Sequence, residues 1–374
     1  MGRIATFDDW TDLFRQWRRD VGVDAIHGKY HFQALFGDME SDEIQFGFYA
    51  GQPKWETVRD IPDQRIKDAL LNYIVYQGDT EFASVEQQRN LFTTAPTEWD
   101  RGALARIMTE EMRHGWQMSY LLVTHFGSSG RLEAEKLLQR RAWEKQRLLG
   151  AFNVEVHDWL DLYTYQEFQD RDGKFQLQML SRSSFAPLAR SMGPMLKEES
   201  FHLGTGHTGL KRVVQAGKVP TSLLQKYFNK WIPTCFDLFG TDESSSAQWA
   251  YVWGLKGRID ENKDQPADRT RLNEAARAGY IEECERLVGD LNSFVPASQP
   301  HLRLPHLRFN RRIGRYANQP YDLDGNLLEA DRFPAYLAAA LPSDDDRRAL
   351  EAIFTEPDWV VAREGRPPSP MSHS

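Results

Sequence analysis

Apolar residues in the middle of the chain recur at helical rather than alternating spacing. Between about residues 60 and 215 glycine and proline are rare, so this spacing predicts a series of long helices with one apolar face each. Turn-forming residues interrupt the pattern at Thr93 to Thr97, at Gly127 to Gly130, near Gly150, around Arg171 to Lys174 and, more weakly, at Ser181 to Ser184. We therefore expect a mainly helical domain with short connections.

The pattern changes in the last third of the chain. Proline and tryptophan become more frequent from Pro220, helical spacing returns from about Gln265 to Leu291, and the sequence is irregular from Val295. We expect residues 61–292 to form the helical domain and residues 1–60 to form an N-terminal flanking segment. Residues 293–362 should form an extension that wraps the helices, and the proline-rich residues 363–374 should form a disordered tail.

Composition narrows the kind of site that these helices can carry. Only two cysteines are present, Cys235 and Cys284, which are too few for a disulfide framework and lack the paired spacing of a zinc or iron–sulfur site. Any metal must therefore be bound by carboxylates and imidazoles. The formal net charge of -8 argues against a nucleic-acid partner, because a duplex binder needs a basic face.

Hydropathy and the N-terminal sequence predict the cellular compartment of the protein, and the aromatic content predicts its core. The 374 residues include 11 Trp, 21 Phe and 13 Tyr, so many aromatic rings must be buried in a sizeable core. No run approaches the roughly 18 consecutive apolar residues that span a bilayer. The N-terminal sequence MGRIATFDDW lacks the apolar centre of a signal peptide. We expect a cytoplasmic protein with no membrane partner.

Two of the ten histidines follow a glutamate by three residues. These pairs are Glu111 with His114 in TEEMRHGW, and Glu199 with His202 in KEESFHLG. A spacing of three places both side chains on one helix face. In a four-helix bundle such a pair can bind one iron through the imidazole and bridge to a second iron through the carboxylate. Chance can produce one such motif, so each alone is weak evidence.

A bundle site also needs one acid from the antiparallel helix before each motif. Glu81 lies 30 residues before Glu111, with Pro96 midway, and Asp170 lies 29 residues before Glu199. At a rise of about 1.5 Å per residue, two equal helical arms would bring each acid level with its motif. Spacing favours Glu81 and Asp170, but it leaves neighbouring acids open as candidates: Asp79 and Glu86 for the first, Glu167 and Asp172 for the second.

The glutamates next to the motifs and the other histidines are not expected to bind metal directly. Glu110 and Glu198 directly precede the motif glutamates and point to a neighbouring face, so each is either solvated or a partner of an imidazole N–H. The other histidines with no glutamate at the matching offset are expected to be core or surface residues: His157, His207, His301 and His306.

These residues and their surroundings resemble the oxygenase component of benzoyl-CoA 2,3-epoxidase, a family of ferritin-like di-iron enzymes of aerobic benzoate breakdown. The likeness covers about residues 40 to 345 and rests on QGDTEFASVEQQR, EEMRH, LGAFN, FQDRDGKFQL, FAPLAR, EESFH and RFNRRIGRYA. It implies an all-α fold, a ferritin-like four-helix bundle with additional flanking helices and an irregular C-terminal segment. It also implies two iron ions held by Glu81, Glu111, His114, Asp170, Glu199 and His202.

The resemblance implies a reaction and its partners as well. The family takes electrons from a separate NADPH-dependent flavin and iron–sulfur reductase and inserts one oxygen atom of O2 into the ring of an aryl-CoA thioester. This chain has no dinucleotide fingerprint, which is consistent with an external reductase. The expected activity is therefore epoxidation of benzoyl-CoA or a similar thioester. Competing interpretations are a related di-iron oxygenase acting on another acyl thioester, a carrier-bound acid or an amine, and a ferroxidase.

Three features depart from the family pattern. The chain is shorter than the usual member by about a quarter, EESFH lacks a double histidine, and Gly193-Pro194 precedes Glu199 in the predicted helix. Because proline removes a backbone donor, we expect it to kink or start that helix. The pocket beside the second motif is then expected to differ from that of the family.

A basic segment near the C-terminus is a candidate for binding the substrate. From Leu291 to Tyr321 no acidic residue occurs, whereas this stretch contains Arg303, Arg308, Arg311, Arg312 and Arg315. Guanidinium groups bind phosphate bidentately and keep their charge. Arg308, Arg311 and Arg312 are therefore predicted to contact the phosphates of CoA. An equally good interpretation is a basic stripe that pairs with the acidic body or with the reductase.

Overall fold

The computed structural model describes residues 4–27, 30–261, 271–363 and 365–369. Within these ranges the regular elements are helices, and strand pairing is limited to isolated bridges, which confirms the predicted all-α class. The α-helices are α1 (Phe7–Val21), α2 (Asp24–His27), α3 (Gln64–Gln88), α4 (Glu98–His125), α5 (Gly127–Gln139), α6 (Trp159–Leu180), α7 (Ala186–Ala216), α8 (Thr221–Leu238), α9 (Ser245–Val252), α10 (Leu272–Asn292), α11 (Phe333–Ala340) and α12 (Asp344–Phe354).

Two helical hairpins form the central four-helix bundle. The first consists of α3 and α4 and the second of α6 and α7, and α4 packs across α7. The first turn runs through a 3-10 segment, Arg89–Thr94, and ends at Thr97, whose side chain accepts the Asp100 N–H as the N-cap of α4. The second turn lies at residues 181–185, between the ends of α6 and α7. Both turns coincide with interruptions in the sequence pattern.

Two of the predicted interruptions are placed differently in the structure. Residues Arg171 to Lys174 do not interrupt α6, because this stretch is packed and the side chains of Arg171 and Lys174 both bind Glu283 of α10. The glycine-rich stretch after α4 forms the first turn of α5 rather than a loop. Gly127 has a φ of +58°, and a side chain at Gly130 would overlap the Leu122 carbonyl oxygen, so the break is a sharp reversal between the two helices.

Pro194 lies inside α7, which excludes one of the two expectations for it, a helix start, and leaves the other, a kink, as a prediction. The helix begins at Ala186 and continues through the proline to Ala216. Proline cannot donate the backbone bond that would normally reach the Arg190 carbonyl four residues earlier. The Gly37 N–H donates to that carbonyl instead, at 2.8 Å. A segment from the N-terminal flank therefore satisfies the acceptor that the proline leaves free.

The flanking helices cover the two hairpins with aromatic side chains. Trp10, Phe14 and Trp17 of α1 are buried, and the Trp17 and Phe82 ring centroids are 5.0 Å apart. In the second hairpin α8 and α10 pack against α6, where the Phe168 and Phe228 ring centroids are 4.8 Å apart. Each hairpin therefore packs against flanking helices through buried aromatic rings, as the aromatic content of the sequence predicts.

The C-terminal segment is partly irregular and partly helical. After α10 ends at Asn292, residues up to about 332 contain one short 3-10 turn, and α11 and α12 follow. In the tail, the Arg363 guanidinium lies 3.8 Å from the centre of the Trp99 ring, so this part of the predicted disordered tail packs on the start of α4. Gln265, where helical spacing was predicted to return, lies outside the described residues. So do residue 364 and residues 370–374 of the predicted tail. None of the described helices is long and apolar enough to cross a membrane.

Candidate metal centre

The six predicted metal ligands come from all four helices of the bundle. Each hairpin contributes an acid from its first helix and a Glu-x-x-His pair from its second, and all six side chains are buried, with none more than 7% exposed. They are Glu81 on α3, Glu111 and His114 on α4, Asp170 on α6, and Glu199 and His202 on α7.

Five of the six side chains form two overlapping groups of potential donor atoms among the described residues. Glu81, Glu111 and His114 form one group, and Glu111, Glu199 and His202 form the other, with the donor atoms of each group within 4.8 Å of one another. His114 Nδ1 lies 3.3 Å from Glu81 Oε2, and His202 Nδ1 lies 3.4 Å from oxygens of both Glu111 and Glu199. Glu111 is therefore the side chain that the two groups share.

Asp170 completes the arrangement from the side of α6. It lines a cavity of about 40 Å³ together with Glu81, Glu111 and Glu199. Three buried atoms of the predicted ligands make no hydrogen bond of ordinary geometry with the described residues: Asp170 Oδ2, Glu199 Oε2 and His202 Nδ1. Buried polar atoms are normally paired, so these atoms fit metal ligation. Four carboxylates and two imidazoles are also the donor set of di-iron sites in helical bundles.

The charges in this cluster favour a bound cation. Burial and the neighbouring Glu81 raise the pKa of Glu111 well above its usual value, and burial and Glu199 do the same to the pKa of Asp170. Burial opposes ionisation of Glu81 as well, but the adjacent His114 outweighs it and lowers the pKa of Glu81. Carboxylates crowded in this way repel one another, and divalent cations would relieve that repulsion.

Each imidazole is held on its other side by a glutamate from the opposite hairpin. His114 Nε2 lies 2.7 Å from Glu198 Oε2, and His202 Nε2 lies 3.0 Å from Glu110 Oε2. These are the two glutamates that directly precede the motif glutamates in sequence. A carboxylate on one imidazole nitrogen fixes the ring orientation and makes the other nitrogen a better metal ligand. In both imidazoles, Nδ1 faces the metal-site carboxylates.

Two arginines that sequence reasoning did not single out anchor these glutamates. The guanidinium of Arg113 is fully buried and binds both carboxylate oxygens of Glu198, with Nε 3.0 Å from each. Burial alone would raise the pKa of Glu198, but His114 and Arg113 hold it at about 2. Arg106 Nε donates to Glu110 at 2.9 Å, one helical turn away. This second contact has the spacing of an ordinary helix ion pair, whereas Arg113 meets its partner only across the bundle.

The acids that compete with Glu81 and Asp170 by spacing are engaged elsewhere. Asp79 and Glu86 both bind the buried guanidinium of Arg147, at 3.1 and 2.7 Å. Glu167 binds Arg171 and contacts His207, while Asp172 accepts a hydrogen bond from Gln176. None of these four acids belongs to the donor groups found in the described part of the chain, which consist of Glu81, Glu111, His114, Glu199 and His202.

The predicted phosphate-binding arginines have different environments. Arg311 is buried, and its guanidinium donates to Asp237 and to the carbonyl oxygens of Leu307 and Phe236. Its donors are used inside the fold, which corrects the expectation that it contacts phosphate. The Arg308 guanidinium lies 5.5 Å from each of two tyrosine ring centres. Arg312 is exposed, with its backbone N–H bound to Asp237.

Comparison with known proteins agrees with this fold. Residues 55–299 match a family described as "Phenylacetic acid catabolic protein". The chain is 35% identical to "Benzoyl-CoA oxygenase component B" of Aromatoleum evansii, over 92% of this chain and 83% of that protein. It is 26% identical to one subunit of the 1,2-phenylacetyl-CoA epoxidase of Escherichia coli (strain K12), over 68% of this chain and 75% of that protein. The resemblance predicted from the sequence motifs is thereby confirmed, and the chain belongs to the phenylacetic acid catabolic protein family of ferritin-like oxygenase components.

Proposed function

We propose that the chain is the oxygenase component of a two-component monooxygenase that epoxidises the ring of an aryl-CoA thioester, with benzoyl-CoA as the first candidate. The observation that carries the proposal is the buried cluster in which both hairpins bring their Glu-x-x-His motifs together around Glu111. The names of both relatives, a benzoyl-CoA oxygenase component and a phenylacetyl-CoA epoxidase subunit, support the reaction class and the thioester.

The proposed cofactor is a pair of iron ions held by Glu81, Glu111, His114, Asp170, Glu199 and His202. When bound, this pair would supply the activation of O2 by reduced iron. The protein's own residues hold the ligands in place: Glu198 and Glu110 orient the two imidazoles from opposite hairpins. Burial of all six ligands keeps bulk water away from the reacting atoms.

The reaction needs electrons from outside the chain. One atom of O2 enters the ring and the other leaves as water, so each turnover consumes two electrons and two protons. We propose that a separate NADPH-dependent flavin and iron–sulfur reductase supplies them. The word "component" in the name of the Aromatoleum relative supports a partner protein of this kind.

The proposed contacts to the CoA phosphates involve Arg308 and Arg312. The backbone of Arg312 is tied to Asp237, the residue before Leu238, and Leu238 lines a cavity of about 210 Å³ between α3 and α6. The basic segment is therefore tied to α8 one residue before a residue that lines a cavity adjoining the metal cluster. Arg311 has a structural role instead, because its ion pair with Asp237 fixes the basic segment to the end of α8.

The test is anaerobic loading with Fe(II), reduction, and exposure to ¹⁸O-labelled O2 with a panel of acyl-CoA thioesters. The proposal predicts that one labelled oxygen appears in the product of benzoyl-CoA or a closely related aryl-CoA. If the labelled oxygen appears only with a non-aromatic thioester or an amine, the substrate assignment is wrong. If the protein only oxidises free Fe(II), it is a ferroxidase.

A further inference from the structure

An outer cavity adjoins the metal cluster between α3 and α6. Its volume is about 210 Å³, and its wall combines rings and aliphatic side chains, including Tyr73, Tyr76, Leu149, Leu180 and Leu238, with polar and charged groups, including Asp172, Gln176 and Lys256. It shares part of its lining with the 40 Å³ cavity at the cluster: Gln77, Thr80, Phe152, Gln169 and Gly173. The two cavities are therefore neighbours, and we call the part of the lining that they share the passage.

The two volumes decide which part of a substrate each cavity can hold. An apolar cavity of about 150 Å³ is large enough to bind benzene, whereas about 10–15 Å³ is enough for one water. The inner cavity can hold dioxygen or a few waters, but it cannot hold an aromatic ring. A ring must therefore lie in the outer cavity, with its edge directed through the shared passage toward the metal cluster.

Gln169 presents an unsatisfied amide at this passage. The residue is only 2% exposed, and neither Nε2 nor Oε1 has a hydrogen-bond partner among the described residues. The Tyr165 hydroxyl can accept at most one weak hydrogen bond from the amide, so at least one N–H of Nε2 remains free for a ligand. A buried amide without partners costs free energy, and it is the group that a ligand with a carbonyl oxygen would satisfy.

Gly173 lies one helical turn after Gln169 and borders both cavities. A side chain built there would meet no atom within 4 Å, and the backbone has ordinary helical dihedrals. Glycine inside a helix costs about 1 kcal/mol relative to alanine. Three other helical glycines have equally free space, Gly193, Gly204 and Gly289, but they face solvent. At Gly173 the free space is the passage itself.

We propose that Gln169 and Gly173 determine how the acyl group of the thioester is positioned: the Gln169 amide donates to the thioester carbonyl oxygen, and Gly173 leaves room for the ring. This inference rests on the proposed function and specifies where its substrate is held. Gln169 Oε1, which has no hydrogen-bond partner among the described residues, can accept a hydrogen bond from water or from an amide N–H of the thioester arm. Both residues act on substrate placement and not on iron binding.

The first test narrows the passage with Gly173→Leu and uses Gly289→Leu on α10 as its matched control. Leucine is a better helix former than glycine, so neither variant should melt below the wild type. Calorimetric titration of benzoyl-CoA into the iron-loaded, oxidised protein should show at least a tenfold weaker Kd for Gly173→Leu and an unchanged Kd for Gly289→Leu. Gly173→Ala should fall between them, and iron content should stay at the wild-type value.

The second test removes the amide with Gln169→Leu, which keeps the approximate size of the side chain, and uses Gln178→Leu on the same helix as the control. Loss of one hydrogen bond to the carbonyl predicts a three- to tenfold weaker Kd for benzoyl-CoA. In single turnovers of the chemically reduced protein, less product should form per O2 consumed, because the ring is held less firmly. A purely structural role for Gln169 would lower the melting temperature without changing that ratio.

The outcomes separate this inference from the proposed function. If the wild type binds and oxygenates benzoyl-CoA and both Gly173→Leu and Gln169→Leu do so equally well, the acyl group does not use this passage and the inference is wrong. If the wild type itself neither binds nor oxygenates any aryl-CoA, the proposed function fails and the inference fails with it. A lower iron content in the Gln169→Leu or Gly173→Leu protein would assign that residue to metal binding instead.

Discussion

The two hairpins of the bundle carry the same motif but support it unequally. In the first hairpin Gln77 donates to the acid Glu81 at 2.5 Å, whereas in the second the corresponding acid, Asp170, leaves one oxygen without a partner among the described residues. The first hairpin therefore holds its acid with a side chain of the protein. In the second hairpin a bound metal ion would satisfy the oxygen that is left without a partner.

The two glutamates that contact the imidazole Nε2 atoms are also supported unequally. Glu198 of α7 is bound by Arg113, which is fully buried, whereas Glu110 of α4 is bound by Arg106, whose side chain is 24% exposed. Both arginines come from α4. One helix therefore supports both imidazoles, directly through Glu110 and across the bundle through Arg113. A repeated motif need not mean that the two halves of a site contribute equally.

The largest effect is expected at Glu111, the carboxylate common to both donor groups. Glu111→Ala should abolish turnover and reduce iron from about two atoms per chain to a small fraction, because each group loses a ligand. Iron analysis after anaerobic loading measures this. Asp170→Ala is the matched comparison, since Asp170 lies outside both groups, and it should retain more iron than Glu111→Ala. Equal retention by both variants would contradict a bridging position for Glu111.

Arg113→Ala should have the next largest effect. It should lower the stability of the folded protein rather than impair the reaction. It leaves the buried Glu198 carboxylate without its cation, which costs about 3–5 kcal/mol. The melting temperature of the variant should fall by roughly 5–10 °C. If Arg113 contributes only local packing, Arg113→Met should restore the wild-type melting temperature, and that result would refute the electrostatic account.

Glu198→Gln tests whether the opposite hairpin orients His114. The amide preserves the shape of the side chain but is a weaker acceptor for the imidazole N–H, so iron affinity should fall by roughly 10–100-fold. Competition with a chelator measures that affinity. Glu110→Gln should weaken iron binding through His202 in the same way. Unchanged iron affinity in both variants would mean that neither imidazole needs a carboxylate at Nε2 to bind iron.

The smallest effect is expected for Arg106→Ala. Its ion pair with Glu110 is partly exposed and has helix spacing, so its loss should cost about 1 kcal/mol or less. The guanidinium also lies 3.9 Å from the centre of the Phe201 ring, and this contact would be lost as well. Thermal melting should show a shift of at most a few degrees with full iron content. A loss as large as that of Arg113→Ala would mean that the two hairpins are supported equally.

The sequence predicts the fold class and the two Glu-x-x-His pairs because both depend on local periodicity. Helical spacing, Pro96 at the first turn and the three-residue offsets are all properties of short segments. The resemblance favours Glu81 over its neighbours, and the structure gives the physical reason: Arg147 binds both Asp79 and Glu86, so neither carboxylate is free to ligate a metal.

Contacts between segments that are distant in sequence were not predictable in this way. Arg113 meets Glu198 across the bundle, and Gly37 meets the Arg190 carbonyl that Pro194 leaves free, but neither pair has a spacing that a single sequence reveals. The prediction of a turn at Arg171 to Lys174 was wrong for the same reason. Its polar residues look solvated in sequence, while in the structure Arg171 and Lys174 bind Glu283 on α10.

The central claim is that the two hairpins together build one two-iron centre. Mössbauer and electron paramagnetic resonance spectra of ⁵⁷Fe-loaded, oxidised protein test it most directly. The account predicts about two irons per chain, magnetically coupled so that the oxidised protein gives no resonance signal. About one iron per chain, or the signal of isolated high-spin Fe(III), would show that the two motifs do not share a centre.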